Sequence, residues 1–201
     1  MPRKSNTDVL ALFDTLVYTC QYRLVLEPAS HVSARVLEWR QGLRERIGLF
    51  HESYHMPSII LCSTELPPEY ERSLVDAIAH GFEGFASFNM NIGGVQHSED
   101  KRTIYLEVGE KGIIAALRQR VVDHVRTNRR IKKLGVEVVD HARLVIASGL
   151  KADQFNAAWA MLAVQSVMVQ QKVSDVVLIK RELGDTSMDE HVRTFALTQG
   201  V

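Results

Sequence analysis

The chain is poor in the features that would place it quickly in a functional class. It has two cysteines, Cys20 and Cys62, in 201 residues. Both sit in apolar, strand-like segments without metal-ligand spacing, which argues against a disulfide framework and for buried thiols in a reducing compartment. It has no excess of either charge: 24 basic and 24 acidic residues balance to a formal net charge of zero. No global field therefore steers it toward nucleic acid or an anionic membrane, and any such partner must be met by a local patch. No apolar run is long enough to cross a bilayer; Val9 to Val17 is short and interrupted by Asp14. The expected location is the cytoplasm, with no membrane partner. Gly93-Gly94 lacks the rest of any nucleotide-binding fingerprint and reads as a turn. No group of His, Cys and carboxylates has metal-ligand spacing, so neither a metal nor another cofactor is expected.

What is present is 46% hydrophobic and 24% charged sequence, enough for one well-buried core and short for two. A single two-lobed domain over residues 16–201, after an N-terminal extension of residues 1–15, is the expected organisation. The segment from Val17 to Glu27 is rich in β-branched, aromatic and aliphatic residues and ends at Pro28, the pattern of a strand. Val32, Val36, Trp39, Leu43 and Ile47 then recur at helical spacing, with Gly48 as a stop. Leu49 to Met56 has no period and reads as a loop. A strand is expected over Ser58 to Leu66, followed by a helix opened by Pro67-Pro68. Phe85 to Ile92 alternates as a strand that Gly93-Gly94 would end, and Arg102 to Val108 alternates as another. A helix from Glu110 presents Ile113, Leu117, Val121 and Val125. Strands are further expected over Val138 to Ala147, Val173 to Arg181 and Val192 to Leu197, with a helix from Asp153 to about Gln165. Such alternation of strands and helices argues for an α/β or α+β arrangement.

One strand-and-helix unit occurs twice, once through Pro57-Ser58-Ile59-Ile60-Leu61-Cys62 and once through Asp140-His141-Ala142-Arg143-Leu144-Val145. Two similar halves imply one site between them. Because strand residues i and i+2 share a face, His141 and Arg143 are expected together, and likewise Ser58, Ile60, Cys62 and Thr64. Arg143 brings a fork of donors suited to a phosphate oxygen. Tyr105 falls on the less apolar face of its strand, where it either stacks on a ligand ring or caps the sheet. His55 and His97 read as loop histidines, and a recruited acid or base is the alternative for each. Arg118 to Lys133 is a basic run that suits either an RNA backbone or the C-terminal end of a helix.

On these segments the chain resembles the two-histidine phosphoesterase superfamily, which includes 2′-5′ RNA ligases and 2′,3′-cyclic phosphodiesterases. The resemblance runs through Tyr22-Arg23-Leu24-Val25-Leu26-Glu27-Pro28, Ser58-Ile59-Ile60-Leu61, Arg102 to Val108, His141-Ala142-Arg143-Leu144 and Val173 to Leu183. It implies an α+β fold: a two-lobed, pseudo-symmetric sandwich of antiparallel sheets, with outer helices around a central cleft. It also implies two His-x-Thr/Ser motifs, one histidine activating water or a ribose hydroxyl and the other protonating the leaving oxygen. Here Ser58 and Ile60 stand at the first motif, and Arg143 replaces the hydroxyl residue after His141. Loss of one member of an acid/base pair costs on the order of 10²- to 10⁴-fold in rate. The expectation is a degenerate protein that binds a nucleotide or RNA phosphate through His141, Arg143, Ser58 and Tyr105, with weak or no phosphodiesterase activity. The alternatives are an active enzyme that recruits His55 or His97, and a non-catalytic protein-interaction scaffold.

Overall fold

The computed structural model describes residues 19–132, 135–139, 141–183 and 189–199; the expected extension, residues 1–15, lies outside them. The chain runs through β1 (Cys20–Leu26), α1 (Ser30–Ile47), β2 (Ile59–Leu66), α2 (Glu71–Phe82), β3 (Phe88–His97), β4 (Ile104–Val108) and α3 (Lys111–Thr127). It continues through β5 (Val136–Val138), β6 (Arg143–Ala147), α4 (Ala152–Leu162), β7 (Met168–Val173), β8 (Asp175–Glu182) and β9 (Glu190–Ala196). The apolar stripe of α1 buries Val32, Val36, Trp39 and Leu43, and Gly48 ends the helix at φ 76 with its N–H on the Arg44 carbonyl. Only a residue without a Cβ adopts that backbone cheaply. No described helix is long and apolar enough to cross a membrane.

All strand pairs are antiparallel, in the order β7-β3-β4-β6-β2-β1-β8-β9, with β5 against β2. The expected α+β, two-lobed architecture is thus observed, as one curled sheet whose halves meet between β2 and β6 at the pair Ile59 and Leu144. Helices α2 and α3 pack together, against β9 and β2 respectively, whereas α1 and α4 pack together with α1 on β6. Each lobe is therefore covered by helices drawn from both halves of the chain.

The two halves repeat in detail. In β1 and β2, Leu24 stands opposite Cys62 but Val25 opposite Ile60, so Leu61 is an extra, bulged residue. In β4 and β6, Ile104 stands opposite Ala147 but Tyr105 opposite Val145, so Ile146 is the extra one. A bulge re-aims the side chains that follow it. For this reason Cys62 and Thr64 do not share the face of Ser58 and Ile60, as plain alternation predicts. Both are buried under α2 and α3 with Tyr22, Leu24, Leu74 and Val121.

Four other expectations are corrected. Gly93-Gly94 does not end the strand; β3 runs on to His97 across a bulge, with Gly94 at φ 70. Gly93 is needed because a Cβ there would collide with the Val167 carbonyl and Met168 of the neighbouring strand segment. The expected strand over residues 138–147 is two strands, β5 and β6, and the one over 173–181 is β7 turning at Ser174 into β8. On α3 the buried residue of the first turn is Ile114, with Ile113 exposed.

Candidate functional site

The centre of the sheet sets the site. Ile59 and Leu144 are fully buried where β2 meets β6, so their strand neighbours turn to the opposite face. Those neighbours, Ser58, Ile60, Arg143 and Val145, all line one cavity of about 310 Å³. Arg23, Arg40, His55, Glu52 and Thr103 complete most of its wall. Three arginines against one carboxylate make the lining cationic, unlike the neutral chain as a whole.

Each arginine is held differently. Arg143 lies over the Tyr105 ring, its guanidinium carbon 4.8 Å from the centroid, and makes no ion pair among the described residues. Arg23 pairs with Asp189, whose carboxylate also accepts a hydrogen bond from Arg181 at 2.9 Å. Arg40 is 2% exposed and donates only to main-chain carbonyls: Nε to Ile146 at 3.0 Å, Nη2 to Val145 at 2.7 Å, and Nη1 to His55. Burial lowers its pKa to about 10, and nearby Glu52 opposes the shift. Glu52 accepts from both the N–H and the hydroxyl of Ser148 at 2.6 Å. Arg40 and Glu52 thereby fasten the loop between α1 and β2 to β6 and place His55 and Ser58 over the cavity.

The His55 imidazole meets Arg181 Nη1 through Nε2 at 3.0 Å. An arginine only donates, so Nε2 is the acceptor and the ring proton sits on Nδ1. Burial, then the charges of Arg181 and Arg23, lower the pKa of His55 below the usual histidine value, with Asp189 opposing. At neutral pH it is an uncharged ring whose basic nitrogen is already engaged.

The other sequence candidates are distributed as follows. Ser58 and Arg143 line the same cavity, and Tyr105 lies beneath Arg143. His141 is exposed in the bend two residues ahead of Arg143, outside β6, and does not line the cavity. His97 does not reach over the cleft: it ends β3, with its ring edge-on to Trp159 at 4.8 Å and Phe155 at 5.5 Å on α4. In the basic run, Arg118 is bound to the Val139 carbonyl and Arg120 to that of Glu83, while Arg126, Arg129, Arg130 and Lys132 are exposed; Lys133 lies outside the described residues. Sequence reading missed Arg40, although its position between Val36 and Leu43 on the apolar stripe marks it as buried. It also missed Arg23, Arg181, Glu52 and Asp189, whose meeting depends on strands far apart in the chain.

The halves relate by a constant offset. Ile60 corresponds to Val145 and Cys62 to Ala147 at the two bulges, and Ile59 to Leu144 at the central pair. By the same offset the counterpart of Ser58 is Arg143.

No family model matches the chain, and no curated protein matches it. Solved structures do share its fold. The apo form of E. coli LigT aligns over 90% of this chain and 99% of its own, with 10% identity and a TM-score of 0.55. E. coli LigT complexed with 3′-AMP aligns over the same shares at 13% identity and 0.56. TT0787 of Thermus thermophilus aligns over 89% of this chain and 98% of its own, at 15% identity and 0.62. These neighbours are two-histidine phosphoesterase proteins, so the resemblance read from the sequence holds at the level of the fold.

Proposed function

We propose that the chain is a non-hydrolytic member of this fold that binds a phosphate-bearing ligand, a nucleotide or an RNA end, in the central cleft. One observation carries the reading: the positions related by the pseudo-twofold at the cleft floor are Ser58-x-Ile60 and Arg143-x-Val145. Neither pair contains a group that takes and returns a proton near neutral pH. What stands at the two positions is a neutral hydroxyl, Ser58, and a cation, Arg143. Arg143 offers a guanidinium without a carboxylate partner among the described residues, propped by Tyr105, with Arg23 and Arg40 in the same wall. A fork of donors of this kind suits the oxygens of a phosphate, and the Ser58 hydroxyl adds a further donor. The 3′-AMP and phosphate complexes of LigT are consistent with such a ligand in this fold. His141 receives no catalytic role in this reading, being exposed in the bend outside the cavity.

A hydrolytic reading turns on His55, the one histidine besides His51 that lines the cavity among the described residues. Its Nε2 is bonded to Arg181, so it takes a proton from water only after that contact opens. The deciding experiment is titration with phosphate and turnover of a 2′,3′-cyclic nucleotide. Arg143→Ala should weaken binding by roughly 10- to 100-fold, the worth of a charge-assisted hydrogen bond or two, with affinity falling as salt rises. Turnover should be absent or weak in the wild type. It should remain so in His141→Ala, and it should gain from installing both pairs together as Ser58→His, Ile60→Thr, Arg143→His and Val145→Thr. Rapid wild-type turnover abolished by His55→Ala would replace the binding reading with the hydrolytic one.

A further inference from the structure

Antiparallel pairing gathers three charged side chains on one face where β1, β8 and the start of β9 lie side by side. Arg181 stands opposite Gln21, so it shares a face with Arg23, two residues further along β1. Glu190 stands opposite Lys180, which brings the preceding residue, Asp189, alongside Arg181. A single carboxylate oxygen of Asp189, Oδ1, accepts from Arg23 and, at 2.9 Å, from Arg181. The three side chains are only 12% to 16% exposed.

This group is short of acceptors. Two guanidiniums meet one carboxylate, and the neighbouring His55 offers Arg181 only an uncharged ring nitrogen. The Nε of Arg23 and that of Arg181 are buried and make no hydrogen bond among the described residues. Buried donors left unpaired are costly, so the pair retains capacity for further oxygen acceptors. Arg23 belongs at the same time to the wall of the arginine-lined cavity. Asp189 does not line that cavity but a neighbouring one of about 590 Å³, and the two adjoin along Met56 and Ser58. The carboxylate therefore has space beside it into which it can turn without disturbing the strands.

The geometry points to Asp189 as a built-in competitor for the anion that the cleft binds. Its carboxylate presents to Arg23 and Arg181 the kind of oxygen acceptor that a phosphate presents, and it holds that place in the free protein. A phosphate in the central cavity gains Arg23 only by taking it from Asp189. Asp189 thus sets how tightly the cleft binds, without itself touching the ligand. The assignment rests on the phosphate reading above and adds the residue that regulates that same site.

The test is calorimetric titration of the full chain with inorganic phosphate, in the wild type and in Asp189→Asn, which removes the charge at nearly constant volume. Affinity should rise by about tenfold or more, because a full negative charge leaves a partly buried site and a cation is released to the ligand. Asp189→Glu keeps the carboxylate and should show no such gain. Asp189→Asn combined with Arg23→Gln should bind no more tightly than Arg23→Gln alone. Asp189→Ser is the second neutral variant and should repeat the gain. Because both neutral variants leave the two arginines without a counterion, both should melt lower than the wild type, and phosphate should raise their midpoints further than it raises the wild type's. Unchanged or weaker affinity in both, or a failure of both to fold even in phosphate, would make Asp189 a structural counterion and overturn the proposal while leaving phosphate binding by the wild type intact. Phosphate that binds neither the wild type nor the neutral variants removes the earlier reading and this one together.

Discussion

Replacing Arg40 with alanine should destabilise the protein more than any other single change among the cleft arginines. The guanidinium is 2% exposed and satisfies the carbonyls of Ile146, Val145 and His55. A buried acceptor left without its donor costs about 1–3 kcal/mol, so three cost roughly 3–9 kcal/mol gross. Part of this is returned, because a buried cation is itself expensive, as the lowering of its pKa to about 10 shows. Water entering the vacated space returns more. The net loss is about 3–5 kcal/mol, the usual range for breaking a buried charged contact. For a domain of this size each kcal/mol moves Tm by about 2–4 °C, so differential scanning calorimetry should record a fall of roughly 6–20 °C. Arg40→Lys should recover part of the loss, since one ammonium cannot reach three diverging carbonyls. Arg44→Ala removes a bond to the Ser53 carbonyl next to the exposed Tyr54 and should cost less than about 1 kcal/mol. A fall below about 2 °C for Arg40→Ala would show that these carbonyls are readily hydrated and that the loop before β2 is not fastened by this side chain.

Two further outcomes follow from titrating groups. Burial pushes the Cys62 thiol up to about 12, so it should resist iodoacetamide at pH 8 in the folded protein and react on unfolding, as mass spectrometry of the alkylated chain would show; fast native labelling would contradict its burial. His55 titrates below the ordinary 6.5, so the unfolded chain binds a proton on it more readily than the folded one, and its contribution to stability is complete above 6.5 and declines as pH falls toward the folded value. Proton NMR should place its midpoint below that of exposed histidines and raise it in Arg181→Gln; an ordinary midpoint in the wild type would refute the contact.

Much of the frame was legible because it is written in local periods. Helix α1 follows from the spacing of Val32, Val36, Trp39 and Leu43, and β4 from the alternation of Ile104, Leu106 and Val108. The errors fall where period and pairing part company. Nothing in Ile59-Ile60-Leu61-Cys62 reveals that Leu61 is an extra residue, because that is decided by the register against Leu24 and Val25. The resemblance sets the second motif at His141-Ala142-Arg143-Leu144, and the Ile59–Leu144 pair, which only the sheet register reveals, turns Arg143 to the cavity. His97 offered a free-standing imidazole in sequence and is packed on Trp159 because the strand continues three residues past a glycine pair that reads as a stop.

The exchange of helices between lobes bears on how the chain is made. Helix α1 is synthesised early, but its cover is β6 and α4, and Arg40 finds the Ile146 carbonyl 106 positions further along. Until that later segment leaves the ribosome, Val36, Trp39 and Leu43 lack the main surface against which α1 packs. The reverse holds for β2, which waits for α3. Neither half is then a self-sufficient unit, although the repeat suggests an origin by duplication.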